Sequence, residues 1–83
     1  MQTTLQKTKN VLASVQETLD YMKKFSRRND AYNKLNDALS EALENCSNPM
    51  EEQTLINRKM RLLQRQNRFL DAHIAECNRR LAA

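Results

Sequence analysis

The last stretch of the chain carries the clearest pattern. Between Met50 and Leu81, apolar residues fall at Ile56, Met60, Leu63, Leu70, Ile74, Cys77 and Leu81, and Asn67 takes the one place in the series where an apolar residue is missing. The steps alternate between three and four, which is a heptad repeat of a and d positions. With Met60 at a, Asn67, Ile74 and Leu81 are also a positions, while Ile56, Leu63, Leu70 and Cys77 take d. A strand would alternate every second residue, and this stretch does not. The pattern predicts one helix over 50–81, about 48 Å long.

The first half of the chain has the same rhythm. Leu5, Thr8, Leu12, Val15, Leu19 and Met22 again step by three and four. Phe25 then follows Met22 by three where four is due, a stammer in the heptad. Tyr32, Leu35, Leu39, Ala42 or Leu43, and Cys46 continue the series, and the polar run Ser26-Arg27-Arg28-Asn29-Asp30 sits at the irregularity. Two readings follow. One is a continuous helix over 3–45, with Thr3 or Thr4 as N-cap. The other breaks at Ser26–Asp30, with Asn29 or Asp30 capping a second segment. No Gly or Pro precedes Pro49, so nothing forces the break.

Cys46-Ser47-Asn48-Pro49 is the punctuation. Asn48 suits the N-cap, Pro49 the first helical position, whose amide has no partner anyway, and Glu51 the third position, within reach of the cap. Glu51 and Glu52 suit the positive end of the helix dipole, and Arg79 and Arg80 the negative end. A turn this short makes the helices antiparallel. The predicted fold is therefore all-α: an antiparallel two-helix hairpin with a long helix 3–45, turn 46–49 and helix 50–81, forming one domain over 1–83. It sets Tyr32 near Leu63, Leu39 near Ile56, Phe25 near Leu70 and Leu19 near Cys77. The first helix then overhangs by roughly ten residues, or about 15 Å.

That overhang carries Leu5 and Leu12. The last helix has a second stripe, Leu55, Leu62 and Phe69, seven apart at c positions. A helix that is apolar on two faces touches two neighbours, through either a wider core or a groove for a partner helix. One hairpin cannot cover Leu5, Leu12, Leu55, Leu62 and Phe69 together, so a coiled-coil or four-helix-bundle oligomer is predicted, most simply a dimer. Asn67 at an a position either sets the register of that assembly or lies solvated at the edge of the stripe.

Composition narrows the classes. The 83 residues include no Gly and one Pro, and aromatics make up 5%. A sheet-rich fold is excluded, because its turns need such residues. Charged residues at 29% suit long amphipathic helices. The net charge is +4, and Arg58, Arg61, Arg65 and Arg68 form one line with no acid between Gln53 and Leu70. In the hairpin, Lys23, Lys24, Arg27 and Arg28 come alongside. These four arginines are candidate phosphate contacts, and a small basic nucleic-acid-binding regulator is the second reading of function. Asp30, Asp37 and Asp71 are at hand to pair with the belt, and no aromatic residue is interleaved for base stacking.

His73 and Cys77 are four apart, but two ligands do not close a zinc site, and the chain has no other His. A Cys–His nucleophile needs a cleft and oxyanion donors, and there is no Gly-rich phosphate loop. No catalytic, cofactor or metal site is expected, and no enzyme. No apolar run approaches the ~18 residues of a membrane span. Met1–Asn10 has no apolar signal core, and two cysteines do not make a disulfide framework, so a cytoplasmic location with reduced thiols is expected.

The segment LLQRQNRFLDAHIAECNRRL, Leu62 to Leu81, resembles the C-terminal helix of the flagellar hook–filament junction export chaperones. Asn67, Leu70, Ile74 and Leu81 are the matching positions, while Arg68 stands where that family usually has Gly. The resemblance implies a cytoplasmic chaperone that holds an export substrate with this helix. The leading expectation is thus a non-enzymatic protein-binding module, of small adaptor, inhibitor or secretion-chaperone type, acting through amphipathic helices.

Overall fold

A computed structural model describes residues 3–82; Met1, Gln2 and Ala83, which the single domain above includes, lie outside the described residues. Two helices form an antiparallel hairpin: α1, Thr4–Glu44, and α2, Pro49–Ala82. The ends differ from the expected ones by a single residue. The molecule is a flat rod of 70 × 18 × 11 Å. Neither helix is long and apolar enough to cross a membrane.

Helix α1 is continuous through Ser26–Asp30, so the stammer bends no backbone hydrogen bond out of the helix. Thr3 is its N-cap, and its hydroxyl accepts from the Gln6 amide at 3.1 Å. The C-terminal end has no residue at positive φ. Instead the backbone amide and the side chain of Asn45 both donate back to the Glu41 carbonyl, at 3.2 and 3.1 Å. Asn48 caps α2 as expected: its Oδ1 accepts from Met50 N at 2.9 Å and Glu51 N at 3.4 Å. Pro49 opens the helix, and Glu51 and Glu52 lie in its first turn.

The helices meet along the second stripe, Leu55, Leu62 and Phe69, with polar residues between them, and not along the a/d stripe. On α2 the half-buried line is Leu55, Lys59, Leu62, Gln66, Phe69, His73, Glu76 and Arg80, itself spaced by four and three. The expected a/d stripe lies about 100° further round the helix. Met60 is 56% exposed and Ile74 57%, and Asn67 is also exposed. The axial level of the expected pairing holds at Phe25, whereas Tyr32 and Asn36 meet residues six to seven positions further along α2 than expected, and the face differs. Phe25, expected beside Leu70, stacks on Phe69 and His73, with centroids 5.0 and 3.5 Å away. Tyr32, expected beside Leu63, tilts onto Phe69 at 5.3 Å.

The physical reason is the mixed character of this seam. Aromatic rings at Tyr21, Phe25, Tyr32 and Phe69 offer more contact area per residue than the aliphatic stripe. Between them, every seventh residue of α2 is polar and hydrogen-bonds across to α1. Lys59 Nζ donates to Ser40 Oγ at 2.7 Å, Asn36 Nδ2 donates to Gln66 Oε1 at 2.7 Å, Tyr21 Oη pairs with His73 Nδ1 at 2.8 Å, and Arg80 donates to Thr18 Oγ1 at 3.1 Å. These rungs fix the register of the hairpin.

Candidate protein-binding faces

The seam divides the rod into two broad sides. On α1 the residues facing α2 run through Thr18, Tyr21, Phe25, Tyr32, Asn36 and Leu39. The stripe N-terminal to the stammer, Leu5 to Met22, lies about 110° further round. A three-residue step in place of a four-residue one turns the apolar line by about one residue's rotation, or 100°. The stammer therefore lets one straight helix show aromatics to α2 and, nearer its N-terminus, aliphatic residues to solvent. Because the helices are antiparallel, equal forward rotations from the seam lead to the same side of the hairpin. Leu5, Leu12, Val15, Leu19 and Met22 of α1 thus share a side with Met60, Leu63, Asn67, Ile74 and Leu81 of α2.

On that side Leu5 is 65% exposed and Leu12 62%. Every residue from Thr3 to Glu17 is exposed, and the last hydrogen bond to α2 is the one at Thr18. The overhang is thus about 14 residues, or about 21 Å, somewhat longer than expected. Leu55, Leu62 and Phe69 are placed differently from Leu5 and Leu12: all three are half-buried, with Phe69 against rings of α1. The hairpin itself covers much of this second stripe; of the heptad stripe it half-buries Ile56, Leu70 and Cys77 and leaves Met60, Leu63, Asn67, Ile74 and Leu81 exposed.

The other side is basic. Three open grooves run along it between the helices. A groove of 590 Å³ has Arg28, Arg65 and Arg68 at its rim and Tyr32, Leu35 and Phe69 below. One of 400 Å³ continues it past Arg58 and Arg61, and one of 430 Å³ past Lys24 and Arg27. The structure thus brings the arginine line of α2 together with Arg28, as the belt required. Asp30, Asp37 and Asp71 form no ion pair with it: among the described residues, both salt bridges use Glu76, with Arg79 and Arg80.

Glu76 belongs to a small cluster near the end of α2. Its hydrogen bonds from Arg79, and the charges of Arg79 and Arg80, hold its carboxyl below the ordinary 4.5. Arg80 lies over the Tyr21 ring, 4.7 Å from its centroid. Burial, helped by the charges of Cys77 and Glu76, pushes the Tyr21 hydroxyl above its usual 10.0. Cys77 Sγ sits 3.5 Å from His73 Nε2, but that imidazole is already engaged by Tyr21 and stacked on Phe25. No group of three or more metal-ligating side chains occurs among the described residues.

The polar rungs are what sequence reasoning missed. Lys59, Gln66, His73 and Arg80 recur every seven residues, and their partners were present in α1. The signal lay in the spacing of polar residues, which a search for apolar stripes passes over. Compared with protein-family models, curated proteins and solved structures, the chain matches none.

Proposed function

We propose that this chain is a non-enzymatic protein-binding module that acts through its helix faces and is completed first by a second copy of itself. One observation carries this reading: among the described residues no side chain is buried, and Leu5, Leu12, Val15, Leu19 and Met22 of α1 stand exposed on the same side as Met60, Leu63, Ile74 and Leu81 of α2. The chain exposes 7082 Å², whereas a compact chain of its mass exposes about 5,100 Å². The surplus, about 2,000 Å² on one chain, is more than twice the ~800 Å² that each partner buries in a standard interface.

A second copy fits this side in shape and pattern. The α2 stripe keeps a period of seven from Ile56 to Leu81, which is what a partner helix with the same period packs into. A copy laid along α2, over the 18 Å width of the rod, covers about 900 Å² per chain, near the ~800 Å² typical of stable pairs. Adaptor, inhibitor and secretion-chaperone roles all use such a surface. In the chaperone case a cytoplasmic client helix would take the place of the second copy along Asn67, Leu70, Ile74 and Leu81.

Sedimentation equilibrium tests the reading. The expected mass is twice 9.7 kDa at concentrations on the order of tens of micromolar. Leu63→Glu with Ile74→Glu, both on exposed positions, is expected to yield a helical monomer. A wild-type chain that stays monomeric in that range refutes the proposal.

A further inference from the structure

We infer that the arginine-lined side of the hairpin is a docking groove for an acidic amphipathic helix of a partner protein. This rests on no part of the self-association reading, which uses the opposite side. The three grooves are one channel: the 430 and 590 Å³ depressions share Arg28 and Phe69, and the 590 and 400 Å³ depressions share Leu35 and Arg65. From Arg58 to Ala72 the channel runs about 21 Å, the length of a helix of about 14 residues.

Its chemistry has two parts. The floor is apolar, and Leu35 stands 54% exposed in it, beside Tyr32, Leu39 and Phe69. The rim is cationic. Arg28, Arg58, Arg61, Arg65 and Arg68 have no carboxylate within salt-bridge distance among the described residues. Arg68 donates only to its own helix, at the Gln64 carbonyl, 3.5 Å away. An apolar floor with a guanidinium rim is complementary to a helix bearing leucine-type residues on one stripe and carboxylates on its flanks. Guanidinium groups bind carboxylates through two parallel hydrogen bonds, which orient the incoming helix as well as attract it.

Nucleic acid fits less well. Phosphates gain nothing from the apolar floor. The rings that bases would stack on are engaged, with Phe25 on Phe69 and His73, and Tyr32 against Phe69.

Fluorescence anisotropy with the full chain tests the inference. The probe is a labelled helical peptide of about 16 residues, with leucines at three- and four-residue steps and glutamates on both flanks. The comparators are its twin with Gln for every Glu, and an oligothymidylate of about 20 nucleotides. The acidic peptide is expected to bind saturably and at least about tenfold tighter than its twin. Arg65→Gln with Arg68→Gln, which keeps helix propensity, is expected to weaken it about tenfold and to leave the sedimenting mass unchanged. Leu35→Gln is expected to weaken it severalfold, an effect that binding by charge alone would not show. The inference is overturned by equal binding of the twin, by insensitivity to either variant, or by an oligothymidylate that binds more tightly than the acidic peptide and falls steeply with salt.

Discussion

Phe69 shows how much one side chain holds here. It packs against Phe25 and Tyr32 from the middle of α2 and also floors the basic channel. Among the described residues no side chain is fully buried, so this aromatic cluster is the nearest thing to a core. Phe69→Ala is expected to cost about 2 kcal/mol, below the 3–5 kcal/mol of a fully buried Phe, because the ring is half-buried. Thermal melting checks it, and an unchanged midpoint would show that the seam is held by its polar rungs alone. Those rungs are weak candidates for that task. A cross-helix hydrogen bond adds only about 1 kcal/mol net, and Asn36 Oδ1 is enclosed without a donor. Their value lies in register: each satisfies its partner at one alignment of the helices and leaves it unpaired at others.

The turn and the stammer decide what each helix does. Asn48 supplies the α2 cap with no glycine anywhere in the connection, so the chain reverses on side-chain hydrogen bonds and on Pro49. Asn48→Ala is expected to destabilise the hairpin by about 1 kcal/mol and Asn48→Ser by much less, since a serine hydroxyl caps as well. Chemical denaturation of both variants measures this, and equal loss for Ser and Ala would mean the cap contributes nothing. The stammer at Phe25 works differently. It leaves the backbone of α1 intact and rotates the apolar line, so that α1 turns its rings to α2 and its N-terminal aliphatic residues to solvent.

The molecule as a whole is two helices thick in one direction and one helix thick in the other, too thin to enclose anything. Its aliphatic side and its basic side are back to back, so self-association on one leaves the other free. Asn67 belongs to this scale. It is exposed in the single chain but sits mid-stripe among Leu63, Leu70 and Ile74, on the side where the proposed second copy would cover it. Asn67→Leu is expected to strengthen the dimer by about 1 kcal/mol or more and to make its register or stoichiometry less unique. Melting at several concentrations, paired with sedimentation, reads both effects. A variant with unchanged melting and mass would place Asn67 outside the interface.

The sequence determined the helices, their ends and the turn. Heptad spacing, the Asn48-Pro49 cap and the absence of glycine are local signals, and local hydrogen bonding obeys them. The axial level of the pairing followed at Phe25 but not at Tyr32, which reaches Phe69 in place of Leu63, because the length of the turn bounds which residues can be opposite and the side chains choose among them. The facing of α2 was decided only in the tertiary structure. Leu63 and Ile74 form the more regular stripe, yet α1 meets Phe69, His73 and Gln66, because after the stammer α1 offers rings and amides, which pair best with rings and amides. Apolar periodicity shows that a face is fit for burial, but not which of two fit faces a given neighbour takes. That choice depends on the partner's own side chains. For the same reason Arg28 and the α2 arginines could be brought to one belt from sequence, while the apolar floor between them became visible only once the two helices were set side by side.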